Sequence, residues 1–293
     1  EFKIKFFSDR RGNQGDYSIS YNFTIRFTVA TTEATATPIW TAEQFRTKIT
    51  AGGNYILMDN ITLKDWAPMD ATFASLDGNG KVIKITNFSV PSSQTVTAGL
   101  FNTISPNTIL KNVIVDIGSC ETTIMLSDEN TITGDTNFGF IAGVNQGIIY
   151  NSEVISNTST ERTITIKTSS TKSNVGLLVG NNQGVITNSR VGTPYYEAIT
   201  VDENGSTTSQ VGKTSVFTVK TSGIVAGFVA VNSGIISSSY FNNANIINTH
   251  IVGNDDVNMT AGFVATNLSS GKIYSSYAKG KGITAENIRG DMT

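Results

Sequence analysis

The chain has 293 residues, a formal net charge of −2, one cysteine and one histidine. Only 15% of its residues are charged, against roughly 25% in an average globular protein. No basic run exceeds the pair Arg10-Arg11, so the electrostatic footprint of a nucleic-acid or anionic-membrane partner is missing, while a lone Cys120 and a lone His250 exclude an internal disulfide and a multi-histidine metal site.

The 39% of hydrophobic residues is enough to bury a long core if many short strands each contribute a few side chains. No stretch of about 18 apolar residues occurs, and Glu1-Phe2-Lys3 does not open a signal peptide. The expectation is a segment of a longer polypeptide with no direct membrane insertion.

Residues 2–7 and 17–29 alternate apolar and polar side chains with the period of a half-buried strand. They predict an N-terminal β-strand module, or the tail of a preceding sandwich domain, over residues 1–30. Residues 31–38, low in complexity and ending in Pro38, read as a linker. Thr41, with Gln44 three residues on, forms a capping-box pattern that predicts a short helix ending near Ala51-Gly52-Gly53. Asn54-Tyr55-Ile56-Leu57-Met58 follows as an apolar strand. A stack of coils exposes a strand edge and an apolar core at its end, and this helix is placed to cap both.

Residues 39–293 carry internal repeats. Four copies align: Gly139-Phe140-Ile141-Ala142-Gly143-Val144-Asn145-Gln146-Gly147-Ile148-Ile149-Tyr150-Asn151-Ser152, then Gly176 to Ser189, Gly227 to Ser239 and Gly262 to Ser276, with a weaker copy from Gly99 to Val113. Each reads as a short strand with Phe or Leu inward, a turn whose Asn and Gly tolerate positive φ, and a second short strand. Stacked at roughly 4.8 Å, the copies satisfy one another's strand edges. The fold class that results is all-β, a right-handed parallel β-helix with extra hairpins per coil. Phe140, Leu177, Phe228 and Phe263 are expected to form one interior stack, and Asn145, Asn182, Asn232 and Asn267 a ladder on the turn side.

The opening glycines recur at intervals of 40, 37, 51 and 35 residues, longer than the roughly 20–30 residues of a minimal strand-bearing repeat. The surplus lies in the polar segments 158–172, 195–221 and 247–260, read as an extra strand or hairpin per coil. These are expected to point outward and to carry any glycan or protein ligand site.

The Gly-Phe/Leu-x-x…Asn-x-Gly-x-Ile phrase resembles the GLUG repeat of bacterial surface and secreted proteins. The upstream stretch Phe73-Ala74-Ser75-Leu76-Asp77-Gly78-Asn79-Gly80-Lys81-Val82-Ile83 is similar to a first-coil phrase found before such repeats, departing by a residue between Phe73 and Leu76 and by Lys81 in place of His. Together the resemblance covers about residues 40–280. It implies an extracellular, adhesin-like, non-catalytic module, or the non-catalytic part of a larger secreted peptidase or toxin.

A solenoid polysaccharide lyase or hydrolase is the alternative in the enzyme class. It requires clustered carboxylates, and the adjacent acidic pairs are only Asp128-Glu129, Asp202-Glu203 and Asp255-Asp256. Asp77-Gly78-Asn79-Gly80 could present oxygens to Ca²⁺, but it lacks the alternating acidic spacing of a dedicated loop and reads as a turn. Cys120 reads as a small buried hydrophobe and His250 as a loop residue. No catalytic, cofactor or metal residue is assigned.

Overall fold

The computed structural model describes residues 36–90, 96–126, 136–158, 162–167, 173–192, 197–201, 207–211, 217–221, 223–242, 244–248, 259–279 and 282–285. All lie within one compact unit, Ala36–Thr293. The strands expected over 1–30 lie outside the described residues.

The unit is a parallel β-helix with five parallel sheets as its sides. Sheet I stacks Thr37–Ile39, Asn54–Leu57, Ser75–Asp77, Ile109–Lys111, Ile148–Tyr150, Val185–Thr187, Ile235–Ser237 and Lys272–Tyr274. Sheet II stacks Ile61–Leu63, Val82–Ile85, Ile114–Asp116, Glu153–Ile155, Arg190–Val191, Tyr240–Asn242 and Tyr277–Lys279. Sheet III holds Thr123–Met125, Arg162–Lys167, Phe217–Thr221, Ala244–Asn248 and Gly282–Ala285, while sheet IV holds Val96–Ala98, Thr136–Phe138, Ser173–Gly176, Ile224–Ala226 and Met259–Ala261. Sheet V runs from Met69–Ala71 through Phe101–Ile104, Ala142–Asn145, Val179–Asn182 and Val229–Asn232 to Val264–Asn267.

The chain visits the sheets in the order I, II, III, IV, V and returns to I one coil higher. The first coil uses only sheets I, II and V, the second adds sheet IV, and sheet III joins at Thr123.

Helix α1 (Ala42–Lys48) covers the first coil. The Thr41 side chain accepts from the Gln44 backbone N–H at 3.1 Å, and the Gln44 side chain accepts from the Trp40 N–H at 2.8 Å, as the sequence pattern requires. The helix ends at Lys48, earlier than expected. Its one buried residue, Phe45, packs on Trp66 and Phe101 at ring-centroid distances of 5.6 and 6.3 Å. Strand pairing begins at Thr37, so the last two residues of the expected linker, Thr37 and Pro38, belong to sheet I.

Inward positions form register columns. In sheet I, Tyr55, Leu76, Leu110, Ile149, Ile186 and Ile236 stack in line and are all buried. Phe140, Leu177 and Phe228 are fully buried, and Phe263 stacks on Phe228 at 4.7 Å with the rings 14° apart, forming the expected interior stack.

The glycines of the repeat copies mark where coils touch rather than where φ is positive. A Cβ on Gly99 would lie 2.1 Å from Gly139 O, on Gly176 2.7 Å from Ala230 N, on Gly184 2.2 Å from Gly147 O and on Gly234 2.1 Å from Gly184 O, each atom belonging to a neighbouring coil. The left-handed backbone expected at the Asn-x-Gly turn instead occupies the next corner, between sheets I and II. There Asn112, Asn151, Asn188, Ser238 and Ser275 have φ of 56°, 46°, 49°, 48° and 46°. A short polar side chain tolerates that conformation. Asn112 is followed by Val113, but the residue after each of the other four is a serine whose hydroxyl bonds its own coil and is placed to accept from the neighbouring one. Ser152 Oγ donates to Tyr150 O at 2.9 Å and accepts the Val113 N–H at 3.1 Å, and Ser189 and Ser239 repeat the pattern.

The surplus segments supply the expected extra strand more often than the hairpin. Among the described residues they form one antiparallel hairpin, Glu197–Val201 with Thr207–Val211, rather than a hairpin per coil. The remaining strand-like runs build sheet III: Ile164 and Ile166 are buried, so the alternation in Thr163-Ile164-Thr165-Ile166 turns one face into the core instead of outward.

Gly184→Ala is expected to lower stability by about 3 kcal/mol, because the inserted methyl meets backbone that cannot give way. Gly80→Ala, with φ +67° and nothing within 4 Å of the added Cβ, is expected to cost only the left-handed penalty of about 1 kcal/mol. Urea denaturation of the two variants measures the difference, and equal losses would refute the close-contact explanation.

Candidate binding surface

Because each coil repeats the last, any outward position becomes a row running along the axis. Two amide rows result, and their burial separates them. Asn145 Nδ2 donates to Asn182 Oδ1 at 2.8 Å, Asn182 to Asn232 at 2.7 Å and Asn232 to Asn267 at 2.7 Å. Asn145, Asn182 and Asn232 are buried. This is the ladder expected from the repeats, and it holds the corner between sheets V and I.

The second row was not anticipated as a unit. Asn188 Nδ2 donates to Asn151 Oδ1 at 3.1 Å, Asn151 to Asn112 at 2.7 Å, and Asn112 to the Asp77 carboxylate at 2.9 Å. It lies at the left-handed corner between sheets I and II and faces solvent. The signal for it was the Asn-Ser pair that closes the copies, at Asn151-Ser152 and Asn188-Ser189.

Beside this row, sheet II brings Ile114, Glu153, Arg190, Tyr240 and Tyr277 into one column, each opposite the next. The Arg190 guanidinium is paired with the Glu153 carboxylate, and Arg190 Nη1 donates to Tyr240 Oη at 3.4 Å. Burial would lower the Arg190 pKa, but the adjacent Glu153 carboxylate more than reverses this and holds the cation firmly charged. Burial also keeps the Tyr240 phenol above its ordinary pKa against the opposing pull of Arg190. Tyr240 and Tyr277 stack at 5.1 Å with rings 6° apart.

On sheet I, Ile109, Ile148, Val185 and Ile235 form an outward aliphatic row next to Lys111, Tyr150, Thr187, Ser237 and Tyr274. Ile109, Ile148, Tyr150, Ile235 and Tyr274 are exposed. The doubled Ile of the repeats therefore divides its labour, Ile149 and Ile236 filling the core while Ile148 and Ile235 face out.

Asp77 is a turn residue, as read from the sequence. Its carboxylate accepts the Asn79 N–H at 2.8 Å and the Asn112 amide at 2.9 Å, and pairs with Lys111 at 3.1 Å. Burial pushes its pKa up, but these donors together outweigh burial and hold it below the ordinary value. With its oxygens so engaged, the Asp77–Gly80 turn is complete as a structural element.

Cys120 is fully buried, and burial pushes its thiol pKa up to about 12. Arg162, distant in sequence, donates to the carbonyls of Gly118 and Cys120 and fastens this turn. Buried Asp116 does the same from its side, accepting the N–H groups of Gly118 at 2.8 Å and Asn157 at 3.0 Å. Among the described residues, no group of three or more His, Cys, Asp and Glu is placed to hold a metal ion. Asp128-Glu129, Asp202-Glu203, His250 and Asp255-Asp256 lie outside the described residues. So do parts of segments 158–172, 195–221 and 247–260.

No family model, curated protein or solved structure matches this chain.

Asn182→Ala is expected to cost roughly 2–4 kcal/mol, since it breaks two links of the buried ladder, leaving Asn145 Nδ2 only its 3.4 Å bond to Val185 O and removing the donor to Asn232 Oδ1. Asn188→Gly, at a solvent-facing position that suits glycine, is expected to stay within about 0.5 kcal/mol of the parent. Chemical denaturation distinguishes them. Near pH 8.5, where an ordinary thiol is about half ionised, the native protein is expected to resist a thiol-labelling reagent that modifies Cys120 fully in denaturant. Rapid labelling of the native state would show that Cys120 is not held in the core.

Proposed function

We propose that this chain is a non-catalytic β-solenoid module of an extracellular protein, secreted or held at a bacterial cell surface. It binds a host or surface ligand, or spaces other domains away from that surface. The observation that carries the reading is the repetition of outward side chains from coil to coil: the Asn112, Asn151 and Asn188 row and the Ile109, Ile148, Val185 and Ile235 row each offer one chemistry several times along the axis. A catalytic centre needs a single asymmetric constellation of acid, base and stabilising groups. A repeated row instead suits a repetitive surface or polymer, to which weak contacts add through multivalency.

The GLUG-like phrase supports the same reading, and so does a core closed by packing and hydrogen bonds without disulfides. The hairpin Glu197–Val201 with Thr207–Val211 pairs only with itself among the described residues. It is an addition to the coil that a binding protein can vary without disturbing the stack.

Arrays of surface glycans and extracellular-matrix proteins probed with the full chain are expected to show binding that rises steeply with ligand density, without release of reducing ends or unsaturated sugars from polysaccharides. Turnover of a polysaccharide that disappears in Asp255→Asn or Asp256→Asn would overturn the non-catalytic reading.

A further inference from the structure

The corner between sheets I and II is hollowed into an open groove of about 200 Å³, lined by Asn112, Asn151 and Asn188 on one side and by Ile114, Glu153 and Arg190 on the other. Both walls are register columns, so the groove runs along the solenoid axis. We propose that it binds an unbranched, uncharged polysaccharide of pyranose units, laid along the axis with roughly one sugar per coil. This inference rests on the binding reading above and places recognition on the coil itself, not on the inserted segments.

The first support is spacing. Wall residues recur at the strand separation of about 4.8 Å, and a pyranose in an extended, equatorially linked chain advances by a closely similar distance. The polymer therefore keeps step with the coils, and in a chain whose alternate units face opposite ways a contact made to one sugar is made again to the sugar two coils on.

The second support is the chemistry left over in the amide row. A carboxamide carries two N–H donors and two acceptor lone pairs. Along Asn188, Asn151, Asn112 and Asp77, Asn112 and Asn151 each donate one N–H and accept one. A donor and an acceptor therefore remain on each, side by side at the solvent face, which is the pattern that a pair of neighbouring sugar hydroxyls complements. The row from Asn145 to Asn232 has the same chemistry but is buried, so the recognition surface is the exposed one.

Charge and aromatic placement narrow the ligand. Glu153 is matched by Arg190 and Asp77 by Lys111, leaving no unpaired charge among these groups to select a uronate or phosphate polymer. Beyond Arg190 the same column continues into Tyr240, on which Tyr277 stacks. Their rings offer an apolar surface for the C–H face of a sugar, as aromatic side chains with one wet end commonly do. An extended peptide fits poorly, since it binds sheets by adding to a free edge. The groove crosses strands whose backbone groups are already engaged with the coils above and below.

The test uses the full chain with hexasaccharides of β-linked glucose, xylose and N-acetylglucosamine, and with hexagalacturonate as the charged control. Calorimetry measures affinity, and ¹⁵N spectra follow the side-chain amides. The expected result is binding of at least one neutral hexamer, with the Asn151 and Asn188 amide signals shifting and hexagalacturonate binding more weakly. The variant Asn151→Gly/Asn188→Gly removes the amides while suiting the left-handed backbone, and it is expected to lose about tenfold or more in affinity. If that variant does not fold, the amide shifts in the parent protein decide the matter.

Neutral binding that survives in a folded variant, or that leaves those amides unmoved, overturns the groove while the binding role stands. Equal or stronger binding of hexagalacturonate overturns the uncharged ligand. If none of the hexamers binds but a protein or another surface ligand does, the polysaccharide proposal fails alone. Silence toward every ligand removes it together with the binding role and leaves the spacer.

Discussion

Each coil must lie against the next at strand-pairing distance, and the remaining features of the molecule follow from that contact. At the corners the approach is so close that no Cβ fits, which is why Gly99, Gly139, Gly176 and Gly227 open the copies and Gly147, Gly184 and Gly234 follow the buried asparagines. The same contact turns every position into a row. Side chains that repeat must then tolerate a copy of themselves about 4.8 Å away. Asparagine and serine do so, because each can donate to one neighbour and accept from the other. Charges do not, since like charges directly opposite are destabilising. The low charged content of the chain is a consequence of this geometry, and where charges occur in line they alternate in sign, as in Glu153 with Arg190, Asp77 with Lys111, and Asp116 opposite Lys84.

The two amide rows show how one device serves two ends. At the corner between sheets V and I the asparagines are enclosed, and a broken link would leave polar groups buried without partners. At the corner between sheets I and II they stand in solvent, where the link matters less and the unused half of each amide faces outward. The donors also run in opposite directions, toward higher residue numbers in the buried row and toward Asp77 in the exposed one. Ending a chain of amides on a carboxylate polarises it in a favourable sense.

Tolerance of inserted length is a further property of the stack. Successive members of the buried row are separated by 37, 50 and 35 residues, yet their registers continue without a slip. The longest coil places its surplus in the hairpin between Arg190–Val191 and Phe217–Thr221. The coil contact does not depend on what is carried between the sheets, so the surface can change while the core is kept.

The repeats, the inward aromatic stack, the buried asparagine ladder, the capping helix and the turn role of Asp77 were all legible in the sequence, because each depends on local pattern or on a residue type that recurs at the same place in every copy. What only the tertiary structure decided depends on which residues of different coils meet. The glycine after each buried asparagine looked like a turn requirement, and proved to be a contact requirement set by the coil beneath. The left-handed corner fell at Asn112, Asn151 and Asn188 because that is where the chain turns between sheets I and II. Thr163-Ile164-Thr165-Ile166 looked like an outward insertion, since its period fits any half-buried strand, and became a side of the solenoid once a fifth sheet existed to receive it. The column of Glu153, Arg190, Tyr240 and Tyr277 has no signature in any single copy. It exists only through register, which is a property of coils stacked on one another.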